Sequence, residues 1–180
     1  MKKLVLAEER EIERTLWRLT HEILERYGGA SDLILIGIRT GGVPLARRIQ
    51  RMIQEKEGFQ VPVGTLDISL YRDDWSRISF HPEVKATEIP GSLDDLNVIL
   101  VDDVIYTGRT VRAALDALMD FGRPRRVELA VLVDRGHREL PIQPNYVGFH
   151  IPTRPEEHVN VLLKEVDGRD TIVLEVPGSD

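Results

Sequence analysis

Residues 98–110 read VILVDDVIYTGRT, and this stretch decides how the rest of the chain is read. Val98–Val101 and Val104 are apolar, and Asp102 and Asp103 stand where the first run ends. Thr107-Gly108-Arg109-Thr110 follows, and Val111, Ala114, Leu115, Leu118 and Met119 then recur at helical spacing. The pattern predicts a short buried parallel strand over 97–101 and a helix starting near Gly108 or Arg109. In open α/β sheets ligands bind beyond the carboxyl ends of the strands, where the two acids fall. Thr107 and Thr110 flank the helix start, where free N–H groups attract anions. Two adjacent carboxylates are costly without a polar ligand or a cation. Together these features suit a ligand that carries both sugar hydroxyls and phosphate, a ribose-phosphate.

The competing reading is an acidic loop capped by threonine, with no ligand. Acidic pairs occur elsewhere, at Asp73-Asp74 and Asp94-Asp95, where they read as solvated. What favours a site at 102–110 is that strand, acidic pair and Thr-Gly turn occur in register. Two other phosphate motifs are absent: there is no GxxxxGK[ST], and Gly37-Ile38-Arg39-Thr40-Gly41-Gly42 is not GxGxxG.

Working outward, residues 4–6 read as a short edge strand and 8–27 as an amphipathic helix stopped by Gly28-Gly29. Leu33–Ile38 reads as a buried strand, followed by a helix over 43–57 and a weakly alternating strand over 61–70. Residues 73–93 are polar with two prolines and too long for a simple connector. Further strands are expected at 126–133, 146–149, 159–166 and 172–176. Repeated strand–helix–strand units imply an α/β fold, with a central, mostly parallel sheet flanked by helices on both faces. No internal repeat or linker breaks the chain, so residues 1–180 read as one domain.

The composition narrows the classes. The 180 residues can build an ordinary core. Only four apolar residues follow Met1-Lys2-Lys3, too few for a secretory signal, and no apolar stretch is long enough to span a membrane. There is no Cys, which excludes disulfides, thiolate metal sites and a Cys nucleophile, and is compatible with the cytoplasm. A net charge of −6 argues against blanket nucleic-acid affinity and against DNA as a partner. The five histidines show no metal-ligand spacing.

With these residues in view, the chain resembles the type I phosphoribosyltransferases, whose signature is an apolar strand, two acids and a TGxT phosphate loop. Leu70-Tyr71-Arg72-Asp73-Asp74 and the run Val133-Asp134-Arg135-Gly136-His137-Arg138-Glu139-Leu140-Pro141 extend the likeness. They point to the PyrR family, pyrimidine operon attenuation regulators that are also uracil phosphoribosyltransferases. The likeness reaches from the first helix to about Val166. It implies the type I phosphoribosyltransferase fold with a mobile hood arm at about 71–93 and a base-pocket region at about 134–166. It also implies cytoplasmic location and assembly as a homodimer or higher homo-oligomer.

By resemblance, the reaction is transfer of ribose 5-phosphate from phosphoribosyl pyrophosphate (PRPP) to uracil, giving UMP and pyrophosphate. Asp102, Asp103 and Arg72 are the catalytic candidates. PRPP and nucleotide fall to Arg39, Thr40, Gly41, Gly42, Val104, Ile105, Tyr106, Thr107, Gly108, Arg109, Thr110, Asp134 and Arg135. Residues 39–42 match the pyrophosphate loop, where members often carry Arg in place of Gly41; Arg39 is the candidate replacement cation. Arg77, His81 and Lys85 are secondary candidates in the hood arm. Mg²⁺ is expected to be held mainly by PRPP oxygens rather than by a protein cage.

A second function is RNA binding. On a helical wheel Arg10, Arg14, Arg18 and His21 share one sector of the first helix with Trp17, opposite the apolar face. A basic face with an aromatic can hold an RNA loop by phosphate contact and stacking. Glu11, Glu22 and Glu25 interleave, so a solvated or subunit-facing surface competes with that reading. The resemblance implies UMP-dependent binding of a leader mRNA hairpin through Arg18, His21, Arg26 and Arg138. Trp17, Gln143 and Phe149 stand where Thr, Arg and Lys are usual, so two cations are lost from that face. Two alternatives remain: a purine-base phosphoribosyltransferase, and a PRPP or nucleotide sensor that regulates RNA without turnover.

Overall fold

In the computed structural model, residues 1–73 and 87–178 are described; Arg77, His81 and Lys85 lie outside them. Five strands form a parallel sheet: β2 (Leu33–Ile38), β3 (Val63–Leu66), β4 (Asn97–Ile105), β5 (Arg126–Asp134) and β6 (Tyr146–His150). Their order is β3-β2-β4-β5-β6, so β2 and β4 lie side by side and their carboxyl ends share one edge. Helix α1 (Glu9–Tyr27) ends at Gly28, whose φ of 62° supplies the left-handed cap that a side chain would resist.

Alternation along the strands divides the core in two. Leu33, Leu35, Ile99, Val101, Ala130 and Leu132 pack with Ile12, Leu16 and Leu19 of α1 and with Ile49 of α2 (Gly42–Glu57). Ile34, Ile36, Val98, Leu100, Leu129 and Val131 pack with Val111, Ala114 and Leu118 of α3 (Arg109–Leu118). Each fully buried Leu, Ile or Val contributes about 1.5–3 kcal/mol. The sheet is therefore covered on both faces, as the near-continuous apolar runs of β2 and β4 require.

A second, three-stranded antiparallel sheet is absent from the sequence reading. It joins β1 (Lys2–Glu8), β8 (Thr171–Val176) and β7 (His158–Leu162) in the order β1-β8-β7. The strand expected over 159–166 stops at Leu162, and a short turn of helix, α4 (Lys164–Asp167), follows before β8. Arg48 of α2 fastens this sheet to the body. It donates to both oxygens of Asp170 at 2.8 Å and to both of Glu165 at 2.9 Å.

The strand expected over 61–70 is also shorter. After β3 the chain takes a 3-10 turn at Ser69–Tyr71, stabilised by Asp67 Oδ1 accepting from the Ser69 N–H at 2.9 Å.

Candidate active site

The acidic pair does not lie beyond its strand but within it. β4 continues through Asp102 and Asp103 to Ile105, pairing Asp102 with Val131 and Val104 with Val133 of β5. Asp102 is 7% exposed. Burial, reinforced by the neighbouring Asp103 charge, pushes its carboxyl well above the usual carboxylate range. Asp102 Oδ1 accepts from the Asp103 N–H, and Asp103 Oδ1 from the Val104 N–H, each at 2.8 Å. Asp103 is the half-buried member and lines a cavity.

The turn after β2 packs directly on this pair. A Cβ on Gly41 would lie 2.2 Å from Asp103 Oδ2, and one on Gly42 would lie 2.1 Å from the Val101 carbonyl oxygen. Only glycine allows these approaches without displacement of a neighbour. The Arg39–Thr40 peptide bond is cis. Thr40 is exposed, while Arg39 donates from Nη2 to Thr65 Oγ1 at 3.1 Å.

Beyond β4, Gly108 takes φ 93° and begins α3. The Thr107 carbonyl accepts from the Glu139 N–H at 2.9 Å, and Ile142 packs over Gly108. The Arg-Glu-Leu-Pro stretch thus buttresses the Thr-Gly loop. Arg109 bonds Glu139 Oε1 at 2.9 Å and Asp73 Oδ2 at 2.5 Å. Arg72, Asp73, Thr107, Arg109 and Thr110 line a cavity of about 210 Å³. Arg72 is thereby placed beside the Thr-Gly loop. Ile105 is buried in the second core, so its side chain is not available to a ligand there.

At the end of β5, Arg135 is a buried strut. Its guanidinium lies 4.0 Å over the Tyr106 ring and donates to Thr153 Oγ1 and the Arg154 carbonyl. Cation–π contact and hydrogen bonds together fix Tyr106 against the 151–154 segment. Arg138 is committed in the same way: it donates to the Ile142 carbonyl at 2.8 Å, the Tyr106 carbonyl at 2.9 Å and Asp134 Oδ2 at 2.6 Å. Burial alone would raise the Asp134 carboxyl, but Arg138 and the Gly136 N–H outweigh it and hold it below its usual range.

The sheet formed by β1, β7 and β8 adds residues that the sequence did not single out. Lys3, Asn160, Arg169 and Glu175 line a cavity of about 240 Å³ together with Asp103. No local pattern could have revealed them, because residues 3, 103, 160 and 169 meet only through strand pairing across the length of the chain.

On α1, Trp17 and His21 meet edge to face at 5.9 Å and line a shallow hollow with Arg18, Glu22 and Glu25. Arg18 donates to Glu22 and to the Val147 and Gly148 carbonyls of β6. Arg26 lies 3.1 Å from the buried Glu128, which also accepts from Tyr146 at 3.0 Å and from Tyr27. Burial, then Glu128, pushes the Tyr27 hydroxyl up to about 12. The basic face thus carries internal ties at Arg18, Arg26 and Arg138. Among the described residues no cluster of three metal-ligating side chains occurs, and no helix is long and apolar enough to cross a membrane.

A family model for the phosphoribosyl transferase domain matches residues 6–165. The chain is 56% identical over 171 residues to the Bifunctional protein PyrR of Syntrophobacter fumaroxidans, covering 95% of this chain and 92% of that protein. The PyrR of Thermus thermophilus is 57% identical over 164 residues, 91% of each chain. Among solved structures, the hypoxanthine phosphoribosyltransferase of Trypanosoma cruzi superposes with a TM-score of 0.73 at 20% identity, covering 97% of each chain, a likeness of fold.

Proposed function

This chain belongs to the phosphoribosyl transferase domain family and, within it, to the PyrR proteins, and from that membership we propose that it makes UMP from uracil and PRPP. The observation that carries the reading is an acidic pair with one glycine turn packed on it, Gly41 against Asp103, and a second following it in the chain, where Gly108 opens α3. In the reaction the C1′–O bond to pyrophosphate breaks, the C1′–N1 bond to uracil forms, and the N1 proton is released. Thr107–Thr110 hold the 5′-phosphate on the α3 N-terminus. Asp103 accepts from a ribose hydroxyl, and its negative charge stabilises the oxocarbenium-like transition state. Tyr106, Asp134 and Arg135 border the base, which enters the 134–166 region.

A carboxylate pair with no third metal-ligating side chain beside it among the described residues fits Mg²⁺ carried on substrate phosphates. When bound, the ion would neutralise pyrophosphate charge. Asp103→Asn tests the assignment: turnover should fall at least about a hundredfold, on the scale of a lost electrostatic group, with the unfolding temperature unchanged. Full turnover in that variant would remove Asp103 from the chemistry.

The PyrR name of the relatives supports the second activity, nucleotide-dependent binding of a leader mRNA hairpin. The Trp17–His21 pair beside Arg18 offers a stacking surface with a cation. A homodimer or larger homo-oligomer belongs to the same proposal. Gel-shift titration of the hairpin with UMP tests the RNA reading, and no binding at low salt would refute it.

A further inference from the structure

PRPP is anionic at both ends, with a 5′-phosphate on one side of the ribose and a pyrophosphate on the other. Two cavities are lined from the carboxyl end of β4 and the turn beyond it. One holds the Thr-Gly loop with Arg72; the other holds Asp103 with Lys3, Arg169 and Glu175. If the first takes the 5′-phosphate, as proposed above, the second is left for the pyrophosphate.

The turn over 39–42 contributes little positive side-chain charge to that second cavity. Gly41 has no side chain, and its Cβ direction runs straight at the Asp103 carboxylate. Arg39 reaches toward Thr65 of β3. Across the cavity, Lys3 lies 3.4 Å from Glu175, so those two charges cancel. Arg169 differs. It is exposed, follows Gly168 in the turn that ends α4, and makes no hydrogen bond or ion pair among the described residues. A free guanidinium facing an acidic site is matched to a phosphate anion, which it can grip through two parallel N–H donors.

We propose that Arg169 binds the pyrophosphate group of PRPP and of the leaving product, supplying the cationic contact that Gly41 cannot. The β1-β8-β7 sheet thereby takes part in the site rather than merely covering the core, with Arg48 anchoring it through Asp170, the next residue in the chain. This inference rests on the phosphoribosyltransferase reading but not on uracil as the base.

The test is calorimetric titration of the intact protein with magnesium pyrophosphate, PRPP and UMP, in wild type, Arg169→Gln and Arg169→Lys. Arg169→Gln should bind pyrophosphate and PRPP about tenfold more weakly, about 1.4 kcal/mol. UMP, which has no pyrophosphate, should bind as in wild type. Arg169→Lys should recover part of the loss, since it keeps the charge but not the fork. Unchanged pyrophosphate affinity in Arg169→Gln, or an equal loss for UMP, would overturn the proposal. None of the titrations contains uracil, so a chain that binds PRPP yet makes no UMP would refute the base assignment and leave this contact decided by its own data.

Discussion

Arg138→Lys separates a framework arginine from an RNA-binding one. Arg138 spends three donors on the Ile142 carbonyl, the Tyr106 carbonyl and Asp134, and its side chain is 15% exposed. A lysine ammonium can keep the Asp134 pair but cannot also reach two carbonyls in the fork geometry. Two hydrogen bonds at about 1 kcal/mol each, plus the penalty for carbonyls left without a donor, give a loss of about 3 kcal/mol. For a chain of this length that lowers the unfolding temperature by about 6–12 °C. Because Arg138 ties the Arg-Glu-Leu-Pro stretch to Tyr106 and Asp134, UMP affinity should fall with stability. The assay is thermal unfolding with and without UMP, beside a gel shift with the leader hairpin at several salt concentrations. If Arg138 instead reaches out to RNA phosphates, the lysine keeps its charge and the salt slope stays near that of wild type. An unfolding temperature within about 1 °C of wild type would refute the framework argument.

Two further perturbations test the fold and the acidic pair. Asp102→Asn should stabilise the protein, because the raised carboxyl of Asp102 favours its neutral form in the fold. In the wild type that favourable term is present at acid pH and lost as pH rises from about 4 through the folded value. The variant's advantage in urea unfolding should therefore grow with pH and then level off; a difference that shrinks on raising the pH would contradict it. Arg48→Leu leaves the buried Asp170 carboxylate without its guanidinium and should cost about 3–5 kcal/mol, read as a lower urea midpoint. A loss under about 1 kcal/mol would show the clamp to be an ordinary surface pair.

The parts of the fold legible in the sequence are those with local causes. β2 falls on Leu33–Ile38 as read, because six consecutive apolar positions flanked by polar residues admit only a strand buried on both faces. Gly28 stops α1 and the Thr-Gly turn starts α3 for equally local reasons. The β1-β8-β7 sheet was hidden because its partners lie at opposite ends of the chain, with Lys2 opposite Val176, and periodicity does not name a partner. The same cause hid Lys3, Asn160 and Arg169 from the site. β4 ran past its expected end because the Asp102 and Asp103 side chains satisfy neighbouring backbone N–H groups, so a strand tolerates acids there that propensity would place in a loop. The framework ties of Arg135 and Arg138 are not legible in the sequence, because nothing in their spacing shows the carbonyls that converge on them.

Product formation from PRPP and Mg²⁺ with uracil, cytosine, adenine, hypoxanthine, guanine and orotate in parallel tests the account most directly. It predicts UMP from uracil and no nucleotide from any other base. A purine nucleotide would contradict the base assignment, and no product with any base would contradict the claim that this acidic pair between two glycine turns is a working phosphoribosyl-transfer site.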